Sequence, residues 1–216
     1  MLIYAAADIH GRQDRIRAIQ NRVAAHRPDI LVLAGDLSRR WRPGDMLDPL
    51  NRFSLPVLVI RGNSDSRRLD TLLPLYPNLH ALHLTRQSVS GVEFVGIGGT
   101  LPLPFHSRLG LQETEAVAKA SGMLQAHSVL VVHPPPYGAR DRVLGKFHAG
   151  SRSVRQLVDC CSPALVICGH IHEQSGVEAI GKTVVVNCAM GRSSEGALIR
   201  YDGRSAPVCT MLSRDQ

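Results

Sequence analysis

The sequence predicts an α+β protein in which two β-sheets pack together with helices on their outer faces. Three observations carry this expectation. Short runs of Val, Ile and Leu recur along the chain, and runs of this length read as buried strands. Stretches with helical spacing separate the early runs, giving a β-α rhythm as far as Cys168. From Val177 onward the chain turns β-rich, which implies sheet strands contributed late rather than a uniform doubly wound pattern.

Each element has its own signal. The first run, residues 2–7, leads to a helix over roughly 13–25, with Ile16, Ile19 and Val23 on one face. Pro28 separates that helix from a strand over 30–34. A short helix over 46–53 precedes a strand over 57–60, and another short helix ends before Pro74. Residues 79–84 read as extended, and 92–97 form a strand closed by Gly98 and Gly99. A Pro-rich loop over 101–110 leads to a helix over 112–124. The strand at 129–132 opens a long loop, 134–150, followed by a helix over 151–160 and a strand over 165–168. Late strands lie near 183–186, 197–201 and 208–212. The two long loops are expected to rim the functional edge and set substrate size.

The chemistry-bearing residues sit just beyond these runs. Asp8 and His10 follow the first, Asp36 the second and Asn63 the third. His133 ends the run at 129–132, and His170 with His172 ends the run at 165–168. Ligands in open α/β sheets gather beyond the carboxyl ends of strands. Five strands therefore deliver two carboxylates, one amide and four imidazoles to one edge. Any one of these clusters is weak evidence, since Asn63-Ser64-Asp65 alone reads as a turn. Together and in order they point to a site for two divalent metal ions.

Carboxylate, amide oxygen and imidazole suit Mn, Fe, Zn, Ni or Co rather than metals selected by thiolate. Two such ions about 3.5–4 Å apart share a carboxylate and clamp a phosphate between them. Their combined charge of about +4 exceeds what Asp8 and Asp36 neutralise, so the pocket favours an anionic substrate.

The order Asp8-x-His10, Gly35-Asp36, Gly62-Asn63-x-Asp65, His133 and Gly169-His170-x-His172 resembles the calcineurin-like metallophosphoesterase superfamily. The motifs span residues 8 to 172. The stretches His133-Pro-Pro-Pro-Tyr-Gly138, Gly145-x-x-His148-x-Gly150-Ser151 and Gly169-His-Ile-His-Glu173 resemble an Icc-related subgroup of predicted phosphoesterases. The resemblance implies a four-layer αββα sandwich of two mixed sheets flanked by helices. It also implies a dinuclear-metal-dependent phosphoesterase, with Mn the first expectation, that hydrolyses a phosphodiester by in-line attack of a metal-bridging hydroxide. Carried over by motif, Asp8, His10 and His172 hold one ion, while Asn63, His133 and His170 hold the other. Asp36 bridges the pair, and Asp65 and Ser64 support the ligands from behind.

One position departs from the pattern. Much of the superfamily has Gly-Asn-His in the third motif, with that His contacting the phosphate and assisting the leaving group. This chain has Ser64 there, and a hydroxyl is a poor general acid near neutral pH. His148, in the loop after His133, is the candidate to supply the missing imidazole, joining Asp36 and Asn63 among the catalytic candidates. His26, His80, His83, His106 and His127 match no motif and read as ordinary surface or packed residues, although the loop carrying His106 can reach the site.

Composition bounds the partners. Residues 1–216 carry no internal repeat or low-complexity linker, so one domain is expected to use the whole length. No run approaches the roughly 18 apolar residues of a membrane span, and the first is too short for a signal peptide; a cytoplasmic protein is expected. The five cysteines include no C-x-x-C pair, which argues against a zinc ribbon or disulfide framework. Cys160 and Cys161 read as packed thiols at a helix end, and Cys168 as a core thiol open to oxidation.

The net charge of +7 favours phosphorylated partners, a small molecule or nucleotide first. A nuclease is the second expectation, because Arg39, Arg40 and Arg42 surround Trp41; it requires binding that falls steeply with salt. A non-catalytic metal-binding scaffold is the third, and the full ligand set argues against it. Oligomeric state has no signature here.

Overall fold

The computed structural model describes residues 1–38, 44–103, 106–109, 113–191 and 193–214. Its centre is a pair of six-stranded mixed sheets. In spatial order, the first sheet runs Val208–Ser213, Ser194–Arg200, Leu2–Ala6, Ile30–Ala34, Val57–Ile60 and Leu79–Ala81. The second runs Gly176–Ile180, Thr183–Asn187, Leu165–Cys168, Val129–Val132, Val92–Ile97 and Arg86–Val89. The four strands from Leu2–Ala6 to Leu79–Ala81 are mutually parallel, as are the four from Thr183–Asn187 to Val92–Ile97. Antiparallel strands close the other edges, while Leu79–Ala81 ends the first sheet as a parallel strand.

Alternation along the strands explains the layering. Successive residues of a strand face opposite sides of the sheet. In the second strand of the chain, Ile30, Val32 and Ala34 join Leu58, Phe94, Val131 and Ile167 in a core between the sheets. Leu31 and Leu33 face the other way, against Ile16 and Ile19 of helix Gln13–His26 and Met46, Leu47 and Leu50 of helix Gly44–Asn51. The second sheet repeats the scheme, with Leu130, Val132 and Val166 packed on helices Glu113–Ser121 and Arg152–Cys161. Three apolar cores thus bind four layers in the order helix, sheet, sheet, helix, matching the expected αββα sandwich. Burial on both faces is why these strands are nearly continuous apolar runs.

Several expected boundaries change. The extended stretch at 79–84 shortens to Leu79–Ala81, because the neighbouring strand offers ladder partners only from Val57 to Val59. The loop at 101–110 contains a hairpin, Leu101–Leu103 with His106–Arg108. The loop at 134–150 contains another, Arg142–Val143 with Phe147–His148, turned by Leu144 and Gly145 at positive φ. Strand Arg86–Val89 has no sequence signal, since its polar residues lie on a half-exposed edge. Cys160 is exposed rather than packed, while Cys168 and Cys188 are fully buried. Among the described residues no helix is long and apolar enough to cross a membrane.

Candidate metal centre

Five strands end at the same edge, three from the first sheet and two from the second. The turns that follow carry Asp8 and His10, Asp36, Asn63, His133, and His170 with His172. Their backbones are bent sharply: φ is 61° at Asp8, 53° at His10, 54° at Asp36 and 72° at His170. Non-glycine residues seldom occupy this left-handed region, and such outliers concentrate at functional sites. The bends are held by cross-loop hydrogen bonds, from Asp8 N to Gly35 O at 2.9 Å and from His10 N to Asp36 O at 2.8 Å.

The side chains converge on Asp8 and Asp36, both buried. Asp8 Oδ1 lies 3.0 Å from His172 Nε2, 3.7 Å from His10 Nε2 and 3.9 Å from His133 Nε2. Asp36 Oδ2 lies 3.8 Å from His10 Nε2 and 3.5 Å from His133 Nε2, so its carboxylate reaches towards both sets of imidazoles. Two clusters of potential metal donors result, Asp8 with His10 and His172, and Asp8 with Asp36 and His133. Asn63 Oδ1 extends the second, 3.1 Å from His133 Nε2. His170 lies outside both clusters, but its ring centroid is 5.0 Å from that of His133. The structure thus gathers all seven expected ligand residues, and Asp8 as well as Asp36 stands between the two groups.

Hydrogen bonding fixes which imidazole nitrogen faces inward. His133 Nδ1 is 2.8 Å from the carbonyl of Ala34, so Nδ1 carries a proton and Nε2 is the nitrogen turned to the site. Ser107 Oγ donates to Ala149 O at 2.9 Å and lies 3.1 Å from His170 Nε2. That nitrogen must therefore be the donor to Ser107, which leaves His170 Nδ1 as the free one.

The buried oxygen Asp8 Oδ1 makes no well-formed hydrogen bond, its nearest imidazole nitrogen being His172 Nε2 at 3.0 Å. An unpaired buried carboxylate oxygen is costly unless a cation satisfies it. The electrostatics agree. Burial opposes the charged forms of Asp8 and Asp36, yet the adjoining imidazoles, and Ser64 at Asp36, hold both carboxyls below the usual range. Burial also disfavours a charged His133, but Asp36 and Asp8 raise it to about 9. Burial, with the charge of His133, pushes His170 down to about 4. A site that draws a proton this strongly onto a buried imidazole draws divalent cations by the same field. The donor set therefore fits a pair of metal ions.

Supporting residues complete the frame. The Asp65 carboxylate accepts from Leu37 N, Ser38 N, Ser38 Oγ and Gly62 N, at 2.9 to 3.2 Å, and so clamps the second turn to the third. Ser64 donates to Asp36 twice, from N to Oδ1 at 2.8 Å and from Oγ to Oδ2 at 2.5 Å. Four further residues were not anticipated: Ser107, Arg15, Asn187 and Asp141. Arg15 is buried and donates to the carbonyl of Asp8. Asn187 Nδ2 donates at 2.9 Å to Ile171 O, the carbonyl between His170 and His172. Asn187 ends a Val-rich run as the ligands do, a signal that was available in the sequence. His148 is apart from the seven; its Nδ1 lies 2.6 Å from Asp141 Oδ1. Arg39, Arg40, Trp41 and Arg42 lie outside the described residues.

The model of the calcineurin-like phosphoesterase family matches residues 1–174. An uncharacterized protein of Methanocaldococcus jannaschii is 28% identical over 199 residues, covering 87% of each chain. A UPF0046 protein of Caenorhabditis elegans is 40% identical over 185 residues, covering 74% of this chain and 62% of its own length. The solved structure of a dimetal phosphatase from Danio rerio has a TM-score of 0.65 at 12% identity, covering 99% of this chain and 96% of that one. A family match over most of the chain, on motifs whose side chains meet at one sheet edge, shows that this protein belongs to the calcineurin-like phosphoesterase family.

Proposed function

We propose that this protein is a phosphodiesterase dependent on two divalent metal ions, Mn first among them, acting on a phosphorylated small molecule or nucleotide. The observation that carries the reading is the unpartnered, fully buried Asp8 Oδ1 facing three imidazoles beside Asp36. In this reading Asp8, His10 and His172 hold one ion, Asn63, His133 and His170 the other, and Asp36 spans both. When bound, the ions supply a nucleophile activated from water and neutralise the phosphate oxygens.

The chain's own residues do the rest. The hydrogen bond from His133 to Ala34 and the one from His170 to Ser107 fix which ring nitrogen faces the site before any ion arrives. Ser64 keeps Asp36 oriented through both its nitrogen and its hydroxyl. A diester rather than a monoester is favoured because Ser64 replaces the imidazole that assists the leaving group elsewhere in the family, and small residues at that position recur in phosphodiesterase branches.

The test is hydrolysis of bis(p-nitrophenyl) phosphate and p-nitrophenyl phosphate by metal-stripped protein reloaded with Mn. Mn-dependent turnover is expected mainly on the diester and absent from Asp36→Asn. Equal turnover by that variant, or turnover without metal, sinks the proposal.

A further inference from the structure

The hydroxyl of Ser64 is committed to Asp36 Oδ2 at 2.5 Å, so it has no proton to offer a departing oxygen. Another group must protonate a poor leaving group. We propose that His148, oriented by the buried carboxylate of Asp141, donates this proton, with Asp141 a positioning residue. The proposal rests on the phosphodiesterase reading above and adds to it a second catalytic unit on the hairpin loop.

Asp141 is built to hold an imidazole. It is 1% exposed, and its Oδ2 accepts from Gly138 N at 3.0 Å and Gly150 N at 3.1 Å. Those bonds aim Oδ1 at His148 Nδ1, 2.6 Å away. Its own carbonyl accepts from Ala149 N at 2.9 Å, closing the loop around the pair. The ring of Tyr137 packs at 45° against that of His148, centroids 5.3 Å apart, and Arg152 covers Tyr137 at 4.8 Å. With Nδ1 engaged, Nε2 of the half-exposed His148 is the nitrogen able to donate outward.

Two tethers tie this unit to the metal centre, one on each side. Ala149, next to His148, accepts through its carbonyl from Ser107 Oγ, which meets His170 Nε2. The carbonyl of Arg140, next to Asp141, lies 3.5 Å from Asn187 Nδ2, which also donates to Ile171 O between His170 and His172. Both tethers end on the same three-residue segment. A carboxylate held by two glycine amides and aimed at an imidazole, on a loop bonded twice to the turn of His170 and His172, gives His148 a fixed orientation beside that turn.

The step balances. The water-derived oxygen, its proton given up to solvent, forms the new P–O bond, and the bond to the leaving oxygen breaks with its electron pair. The Nε2 proton of a His148 imidazolium passes to that oxygen. The ring is left neutral, its remaining proton on Nδ1 still donated to Asp141, and it regains a proton from solvent. Asp141 stays charged throughout, fixing the tautomer.

Two measurements test this. On Mn-loaded protein, His148→Gln and Asp141→Asn are assayed with aryl phosphodiesters of graded leaving-group acidity. Both variants are expected to lose roughly 10²–10⁴-fold on phenyl esters and under about 10-fold on p-nitrophenyl esters. Equal losses across the series overturn the proposal while leaving the phosphodiesterase reading intact. Separately, ¹⁵N NMR on Zn-loaded protein follows the His148 ring during titration with inorganic phosphate. The Nδ1–H signal is expected in wild type and lost in Asp141→Asn, and phosphate is expected to shift Nε2. If the wild type hydrolyses no ester, the phosphodiesterase reading fails, and an Nε2 that ignores phosphate overturns the His148 proposal independently of turnover.

Discussion

A β-carbon on Gly62 would overlap Oδ1 of Asp36, the carboxylate that reaches towards both groups of imidazoles. The third turn thus passes directly against this carboxylate, and only a residue without a side chain leaves room. Gly62→Ala must therefore displace Asp36 or the turn itself. We expect a loss of roughly 1–3 kcal/mol in stability and a fall in bound metal per chain, read by thermal unfolding and elemental analysis. A variant with wild-type Tm and full metal content would show that the turn yields freely.

Asp65 gathers four donors from two turns at a position 7% exposed. Asp65→Ala strands buried N–H groups, at a cost of about 3 kcal/mol. For a chain of this size that corresponds to a fall in Tm of roughly 6–12 °C. Unfolding by calorimetry checks it, and a drop of a degree or less would mean that water replaces the carboxylate.

Asn187 joins the ligand segment to the hairpin loop. Asn187→Leu keeps the branched shape but strands the Ala189 N–H and takes from the Ile171 carbonyl one of its two donors, the other being Gln174 N, for which about 1–3 kcal/mol is expected. Denaturant titration gives the value. An unchanged midpoint would indicate that the Ala189 N–H finds another acceptor.

The thiols sort by burial. Burial raises Cys209 to about 11 and raises Cys168 and Cys188 further, and the thiolate is the reactive form. A raised pKa keeps the thiol protonated at pH 8, so reaction with a disulfide reagent should be fast at exposed Cys160 and slow at Cys209. The Cys209 rate should climb as pH approaches 11. Cys168 and Cys188 should stay protected until the chain unfolds. Rapid labelling of Cys168 in native protein would contradict the packed sheet beneath His170.

The candidate ligands were legible because each follows a strand buried on both faces, where an apolar run stops abruptly at a polar residue. Ile30–Ala34 before Asp36 and Val129–Val132 before His133 show the rule in its simplest form. Arg86–Val89 was not legible, since it pairs along an edge with half-exposed polar side chains and owes its conformation to Val92–Ile97. The hairpin carrying His148 was hidden among prolines and glycines for a similar reason: its pairing is too short to leave a pattern. Ser107 and Asp141 have no local signature at all. Their roles arise from contacts with residues 63 and 7 positions away, His170 and His148. Asn187 was the exception, readable by the same rule as the ligands.

The central claim is that seven side chains from five turns form one site for two ions. Calorimetric titration of the metal-stripped protein with Mn, checked by elemental analysis, tests it most directly. Two ions per chain are expected in the wild type and fewer than two in Asp36→Asn. Wild-type protein that binds one ion or none, or an Asp36→Asn variant that still binds two with unchanged affinity, would contradict it.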